Sequence, residues 1–322
     1  MNEQQAIFSS LFLAVLAVIG GLFLLVGGGE TLVSGATKLA RRLGMSPLVI
    51  GLTIVAFGTS VPELFVSLTA SLQGHPDIMI GNVVGSNIAN IGLILGICGL
   101  VVPLTLTLKE VWTELLLVVS GSVMLMLATA YGYFPRALGL FFTLTLFSYT
   151  FITYRNNVGS KKAAAENKDG KSARPQALLP CLVYISIGLL LLAGGSNLFI
   201  NGAVDLARYF GISELIIGLT MAAIGTSLPE LASCISALRR NEPGLLIGNV
   251  IGSNMFNLFM VLGLTGLVKP FSLSPDLLQR DLPVMLAFTM ILIPILHRHD
   301  GTRRWHGMLF LGGYLAYCFS LI

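Results

Sequence analysis

"GLTIVAFGTSVPEL", residues 51–64, returns 167 positions later as "GLTMAAIGTSLPEL", residues 218–231, with no gap. The same offset lays "IGNVVGSNIANIGLILG" (80–96) on "IGNVIGSNMFNLFMVLG" (247–263) and pairs Leu39, Ala40 and Arg41 with Leu206, Ala207 and Arg208, and Pro103 with Pro270. About half the positions from 51 to 103 are identical in the two copies, so the chain carries an internal duplication.

The surroundings of these copies set the medium. The 322 residues are 55% hydrophobic and 11% charged, which leaves too little polar surface for a water-soluble globule of this size. Apolar stretches of about 20 residues, long enough to cross a hydrocarbon core, fall at roughly 8–35, 47–71, 78–102, 110–131, 136–154, 177–203, 212–238, 244–268, 277–297 and 305–322. The first lacks a basic leader and runs on into "GGGETLVSGATKLARRLG", so it is expected to stay as a membrane helix rather than be cleaved.

Between segments 5 and 6 lies "RNNVGSKKAAAENKDGKSARPQ" (155–176), which has no apolar pattern and reads as a flexible linker. The expected layout is residues 1–155 as a first five-helix repeat with its motif at 51–96, a linker at 156–176, and residues 177–322 as a second repeat with its motif at 218–263. Five crossings is an odd number, so the second repeat enters the membrane upside down. The fold expected is an all-α membrane protein of ten helices in two inverted-topology repeats, with broken helices 2, 3, 7 and 8 meeting near the midplane.

Placing the loops alternately puts 15 of the 19 Lys and Arg on the side of the linker and 4 on the other. The positive-inside rule then makes the linker cytoplasmic and both termini external, in a multi-pass cell (inner) membrane protein. It also accounts for the net charge of +4 without a nucleic-acid partner. Cys98, Cys181, Cys234 and Cys318 lie singly in apolar segments and read as small hydrophobes, not as disulfides or metal ligands. His297, His299 and His306 in "HRHDGTRRWH" read as an interfacial loop.

Glu63 and Glu230 are the carboxylates at membrane depth. Each costs roughly 2.5–3.5 kcal/mol there, which requires a partner inside the bundle. No Lys or Arg occupies the middle of any segment, so the compensating charge comes from outside the chain, as cations or protons. Thr59 and Thr226 stand four residues before the glutamates and share their helix faces, with Ser60 and Ser227 alongside. Pro62 and Pro229 remove an N–H and crowd the carbonyls of Gly58 and Gly225, where bends are expected to turn carbonyls of 56–58 and 223–225 inward. In helices 3 and 8, Ser86 and Asn90, and Ser253 and Asn257, repeat the four-residue spacing without charge. All of these are oxygen donors, which suit hard cations such as calcium and sodium and not zinc or copper. Glu30 and Glu114 lie off-centre without acidic twins and read as interfacial or structural.

At these motifs the chain resembles the calcium/cation antiporter superfamily, in particular the sodium/calcium exchangers. "GTSVPE" with "GNVVGSNIAN" is similar to the family's first alpha repeat, and "GTSLPE" with "GNVIGSNMFN" to its second. The resemblance implies antiport by alternating access with no cofactor, and calcium held by Glu63 and Glu230, which are shared with sodium. One sodium position would comprise Thr59, Ser60, Ser253 and the Ala56 carbonyl, and its inverted twin Thr226, Ser227, Ser86 and the Ala223 carbonyl. Asn90 would face the centre, and the Gly-rich helices 1 and 6 would slide. Some relatives, including potassium-dependent exchangers, have an acid where this chain has Asn257, so the site carries −2; the resemblance favours three sodium ions per calcium. A calcium/proton antiporter using the same glutamates and a cation channel are the alternatives. Neither GxSxG nor a zinc-binding His pair is present, and no enzymatic chemistry is expected.

Overall fold

The computed structural model describes residues 8, 10–104, 107–165, 178–211, 225–299 and 301–321, with 157–165 and 299 described by backbone alone. They form α1 (Leu11–Leu43), α2a (Pro47–Thr59), α2b (Val61–Leu72), α3 (Pro76–Val101), α4 (Leu108–Ala130), α5 (Arg136–Ala165), α6 (Leu178–Tyr209), α7 (Leu228–Arg239), α8 (Pro243–Val268), α9 (Asp281–His299) and α10 (Arg304–Leu321). Among the described residues, seven helices are long and apolar enough to cross a membrane, and α2a with α2b, bent by 40°, makes an eighth. α7 and α10 complete two sets of five, the first half of segment 7 lying outside the described residues. Phe23, Phe147, Leu190 and Phe319 point outward, where only lipid makes such exposure favourable.

The duplication is reproduced in the helix boundaries. α2b and α7 begin and end at positions 167 apart, and so do α3 and α8. Their relation is inverted, because equivalent helices run antiparallel. A Cβ placed on Gly21 of α1 would meet Phe199 of α6, on Gly28 Leu192, and on Gly35 Ile185, so one chain number falls as the other rises.

These glycines explain how α1 and α6 come so close. Gly21, Gly28 and Gly35 are seven residues apart, and so are their twins Gly188, Gly195 and Gly202. A Cβ would lie 2.8 Å from the Leu192 nitrogen at Gly28, and 2.6 Å from the Leu32 nitrogen at Gly188. Lipid tails are as apolar as side chains, so such helices associate by backbone-to-backbone van der Waals contact, which small residues permit. α1 ends at Gly44, whose φ of 62° is the left-handed cap.

An 18-residue stretch of α8 is wholly buried and most of such a stretch of α3 is too, which puts these two at the centre of the bundle. Each contains a π-helical stretch, Asn90–Leu95 and Asn257–Leu262. The interruption expected in helices 3 and 8 therefore takes the form of a widened turn, with the helix continuing beyond it. On one face of the bundle the α4–α5 and α8–α9 loops pair as short strands, β1 (Tyr133–Phe134) with β2 (Phe271–Ser272). On the opposite face the Thr302 N–H donates to the Leu104 carbonyl at 2.7 Å, joining the α3–α4 and α9–α10 loops. α5 runs on through Ala165 into the stretch read as linker, whose residues 166–176 lie outside the described residues.

The off-centre acids are placed. Glu30 pairs with Arg240 at 2.8 Å and Arg239 at 3.5 Å, and buried Glu114 accepts a short hydrogen bond from Tyr149.

Candidate functional site

"SVPE" has the spacing of a capping box, and the chain uses it to start a helix inside the membrane. α2a stops at Thr59, Ser60 takes φ −83°, ψ 0°, and α2b starts with Val61 and Pro62, where a missing N–H is harmless. The break therefore falls at Ser60, two residues beyond the Gly58 expected, because Pro62 acts as a helix starter more than as a kink. Glu63 lies in the first turn of α2b, at the positive end of its dipole. The second copy repeats the arrangement, with Ser227 at φ −88°, ψ 1° and Glu230 in the first turn of α7.

Neither copy makes the bonds of a capping box. Ser60 Oγ, both Glu63 oxygens, Ser227 Oγ and Glu230 Oε2 are buried without a hydrogen-bond partner among the described residues. Burying an unpaired polar atom costs about 1–3 kcal/mol, and more for a charged one. Here several such atoms lie on two twin turns, as expected of a site whose partner is not part of the chain.

Asn90 and Asn257 complete the pattern at the first residues of the two π-helical stretches. The Asn90 Nδ2 donates to Asn254 Oδ1 at 2.9 Å and the Asn257 Nδ2 to Asn87 Oδ1 at 3.4 Å, a reciprocal clasp between α3 and α8. Their donors are tied across the repeats, and both amide oxygens remain buried and unpartnered.

The hydroxyls also assemble crosswise. Thr59 Oγ1 of the first repeat lies 3.3 Å from Ser253 Oγ of the second, and Ser253 Oγ donates to Glu230 Oε1 at 3.5 Å. In the twin, Ser86 Oγ lies 3.3 Å from Thr226 Oγ1. Each repeat thus supplies the threonine for one cluster and the serine for the other. The Ala56 carbonyl is not released as expected: it accepts the Ser60 N–H at 3.0 Å and lies 3.4 Å from Thr59 Oγ1, keeping one lone pair for a further partner. The Gly58 carbonyl is the one for which Pro62 has no N–H. Ala223 lies outside the described residues. The Gly225 carbonyl accepts from Ser196 Oγ of α6 at 2.8 Å.

No ion pair among the described residues involves either glutamate. Arg239 and Arg240 go to Glu30, Arg208 to Asp205 and Arg280 to Asp281. A cavity of about 380 Å³ has Asn82 and Thr226 among its walls, together with Arg280 and Asp281, where α9 starts.

Four asparagines beside these residues escape sequence reasoning. Asn82 and Asn249 contact the threonines, and Asn87 and Asn254 hold Asn90 and Asn257. The available signal was their identity under the 167-residue offset, together with the spacing of Asn82 and Asn249 four residues before Ser86 and Ser253.

A family model described as "Sodium/calcium exchanger protein" matches residues 13–187 and 180–322. The chain is 36% identical to Inner membrane protein YrbG of Escherichia coli (strain K12), over 95% of this chain and 96% of that protein. It is 33% identical to Sodium/calcium exchanger MaX1 of Methanosarcina acetivorans, over 94% and 96%. Among solved structures, the sodium-calcium exchanger NCX_Mj soaked with 10 mM Na+ and 10 mM Sr2+ superposes with a TM-score of 0.82, at 31% identity over 97% of this chain and 100% of that one.

Proposed function

The chain belongs to the sodium/calcium exchanger family, and on that premise we propose that it carries calcium out of the cytoplasm against sodium entering down its gradient, through one site reached alternately from either side. Glu63 and Glu230 bind calcium and are shared with sodium. Thr59, Ser60, Ser253 and the Ala56 carbonyl hold one sodium ion, and Thr226, Ser227, Ser86 and the Ala223 carbonyl hold its twin, with Asn90 and Asn257 facing the centre. Both ions need the same two carboxylates, so the loads exclude each other and exchange is coupled. The protein sits in the cell membrane with both termini outside, the linker in the cytoplasm, and α1 with α6 as the sliding element.

The observation that carries this reading is the set of buried, unpartnered carboxylate, hydroxyl and amide oxygens with no basic side chain paired to them. Oxygen-only ligation suits calcium and sodium. The −2 charge is neutralised by one calcium ion and becomes +1 with three sodium ions.

The test is calcium flux into vesicles holding the purified chain, under imposed sodium, potassium or proton gradients. Only the sodium gradient is expected to drive calcium, and Glu63→Ala and Glu230→Ala are each expected to abolish that flux. Near-normal flux in either variant would remove the site assignment, and calcium movement driven by pH without sodium would replace sodium coupling with proton coupling.

A further inference from the structure

Asn82 and Asn249 are twins on α3 and α8 that the proposed ligand set does not use. A hydroxyl has one proton and two acceptor lone pairs, and it meets a cation through the lone pairs, so its proton must be directed elsewhere. Thr59 Oγ1 has four acceptors in reach: the Ala56 carbonyl at 3.4 Å, Ser253 Oγ at 3.3 Å, the Glu230 carboxylate and Asn249 Oδ1 at 3.1 Å. The first three are themselves proposed ion ligands. A proton given to any of them would occupy a lone pair the ion needs and leave positive hydrogen inside the site.

Asn249 offers the remaining route, and its orientation is fixed. Its Nδ2 donates to Ser233 Oγ at 2.8 Å and lies 3.5 Å from Cys234 Sγ, and Ser233 Oγ in turn donates to the Glu230 carbonyl at 2.9 Å. The amide is therefore tied to α7 by its nitrogen and shows its oxygen to Thr59. In the other half the Asn82 Nδ2 donates to Ser67 Oγ at 2.9 Å and to the Glu63 carbonyl at 3.3 Å, and Asn82 Oδ1 accepts from Thr226 Oγ1 at 3.1 Å. Each asparagine is anchored to the half-helix of its own repeat and receives the threonine of the opposite one.

We propose that Asn82 and Asn249 are positioning residues for the two sodium sites: each draws the proton of the opposite repeat's threonine out of the site, so that the threonine oxygen faces the ion with its lone pairs. The inference rests on the sodium reading above. It deepens that reading by separating sodium from calcium, because calcium is held chiefly by the two carboxylates, whose charge needs no hydroxyl orientation.

The test uses the full-length chain in proteoliposomes and compares Asn249→Leu, which removes the acceptor, with Asn249→Asp, which keeps it. Losing one buried hydrogen bond of this kind corresponds to about a tenfold effect. Asn249→Leu is expected to raise the sodium concentration for half-maximal calcium exchange about tenfold while leaving sodium-free calcium–calcium exchange near wild type, with Asn249→Asp between Leu and wild type. In a Thr59→Val background, which has no proton to place, Asn249→Leu is expected to add nothing further. Equal losses of sodium and calcium exchange, an unchanged sodium requirement, or full additivity with Thr59→Val would each overturn the assignment. If the wild-type chain showed no sodium-driven calcium flux, the antiport reading would fall, and this inference with it.

Discussion

The two repeats share the boundaries of their central helices but not every contact. Gly29 of α1 is seated against Ala232 and Ser236 of α7, and Glu30 binds Arg239 and Arg240 at the end of that helix. In the twin half Ser196 turns to the Gly225 carbonyl, and Asn197 accepts from Asn201 of its own helix. The positions on α2b equivalent to Ala232, Ser236 and Arg239 are Phe65, Thr69 and Leu72, and all three are exposed, whereas Ser236 is buried. One half is closed over the site and the other is bare, and the cavity that Thr226 borders is also lined by the bare half's Val66 and Ile200. A sequence that is nearly two-fold symmetric has folded into one of the two states an alternating-access carrier needs. In the proposed orientation it is the state closed to the cytoplasm.

The largest expected effect comes from the feature the halves share. Gly28→Val and its twin Gly195→Val both drive a side chain into backbone, an overpacking of about 1–3 kcal/mol or more. Their neighbours Gly27 and Gly194 face open space within 4 Å. Both Gly28→Val and Gly195→Val are expected to lose most calcium flux, and Gly27→Val and Gly194→Val to keep it. Damage confined to one half would show that α1 and α6 do not work as a symmetric pair.

A smaller effect separates the twin asparagines from the acid found at the second in some relatives. With Asn257 the calcium-loaded site is neutral, so calcium–calcium exchange is expected to ignore membrane potential. Asn257→Asp gives that loaded site −1, and the exchange should become voltage-sensitive, with an upper limit of about 2.3 kcal/mol per 100 mV. Tracer calcium exchange at clamped potentials reads the difference, and voltage-insensitive exchange in Asn257→Asp would contradict the −2 charge assigned to the site.

The smallest effect tests the asymmetry. The Glu30 pairs are partly exposed and worth about 0–1 kcal/mol, so Glu30→Gln should shift the balance between states about two- to fivefold. A cysteine reporter at buried Ser236 should then label faster from the α7 side, and one at exposed Thr69 more slowly. Asn197→Glu combined with Gln73→Arg, which copies the ion pair into the bare half, should shift labelling the opposite way. Unchanged labelling at Ser236 would reduce the Glu30 pairs to surface decoration.

The framework was legible because symmetry is a sequence property. The offset of 167, the odd number of crossings and two uncompensated glutamates led to inverted repeats and to Glu63, Glu230 and their hydroxyl neighbours. What escaped depends on partners distant in the chain. Glu30 reads as interfacial until Arg239 and Arg240 are brought to it, and Asn82 and Asn249 gain a role only when a threonine from the opposite repeat points at each. The position of the helix break was missed for a local reason, since a proline two residues after a serine can kink one helix or begin the next. The π-helical stretches leave no mark in hydrophobic period, because α3 and α8 are buried around most of their circumference and have no single apolar face for a widened turn to displace.

The glycine faces of α1 and α6 also bear on how the protein is made. α1 is synthesised first, and its partner follows 167 residues later, which at ordinary elongation rates is roughly 8–33 s. Throughout that interval the groove of Gly21, Gly28 and Gly35 lacks the α6 backbone that it meets in the folded chain. The first repeat therefore stays an open half until α6 enters the membrane upside down beside it, and assembly of the carrier is a single late closure rather than two successive foldings.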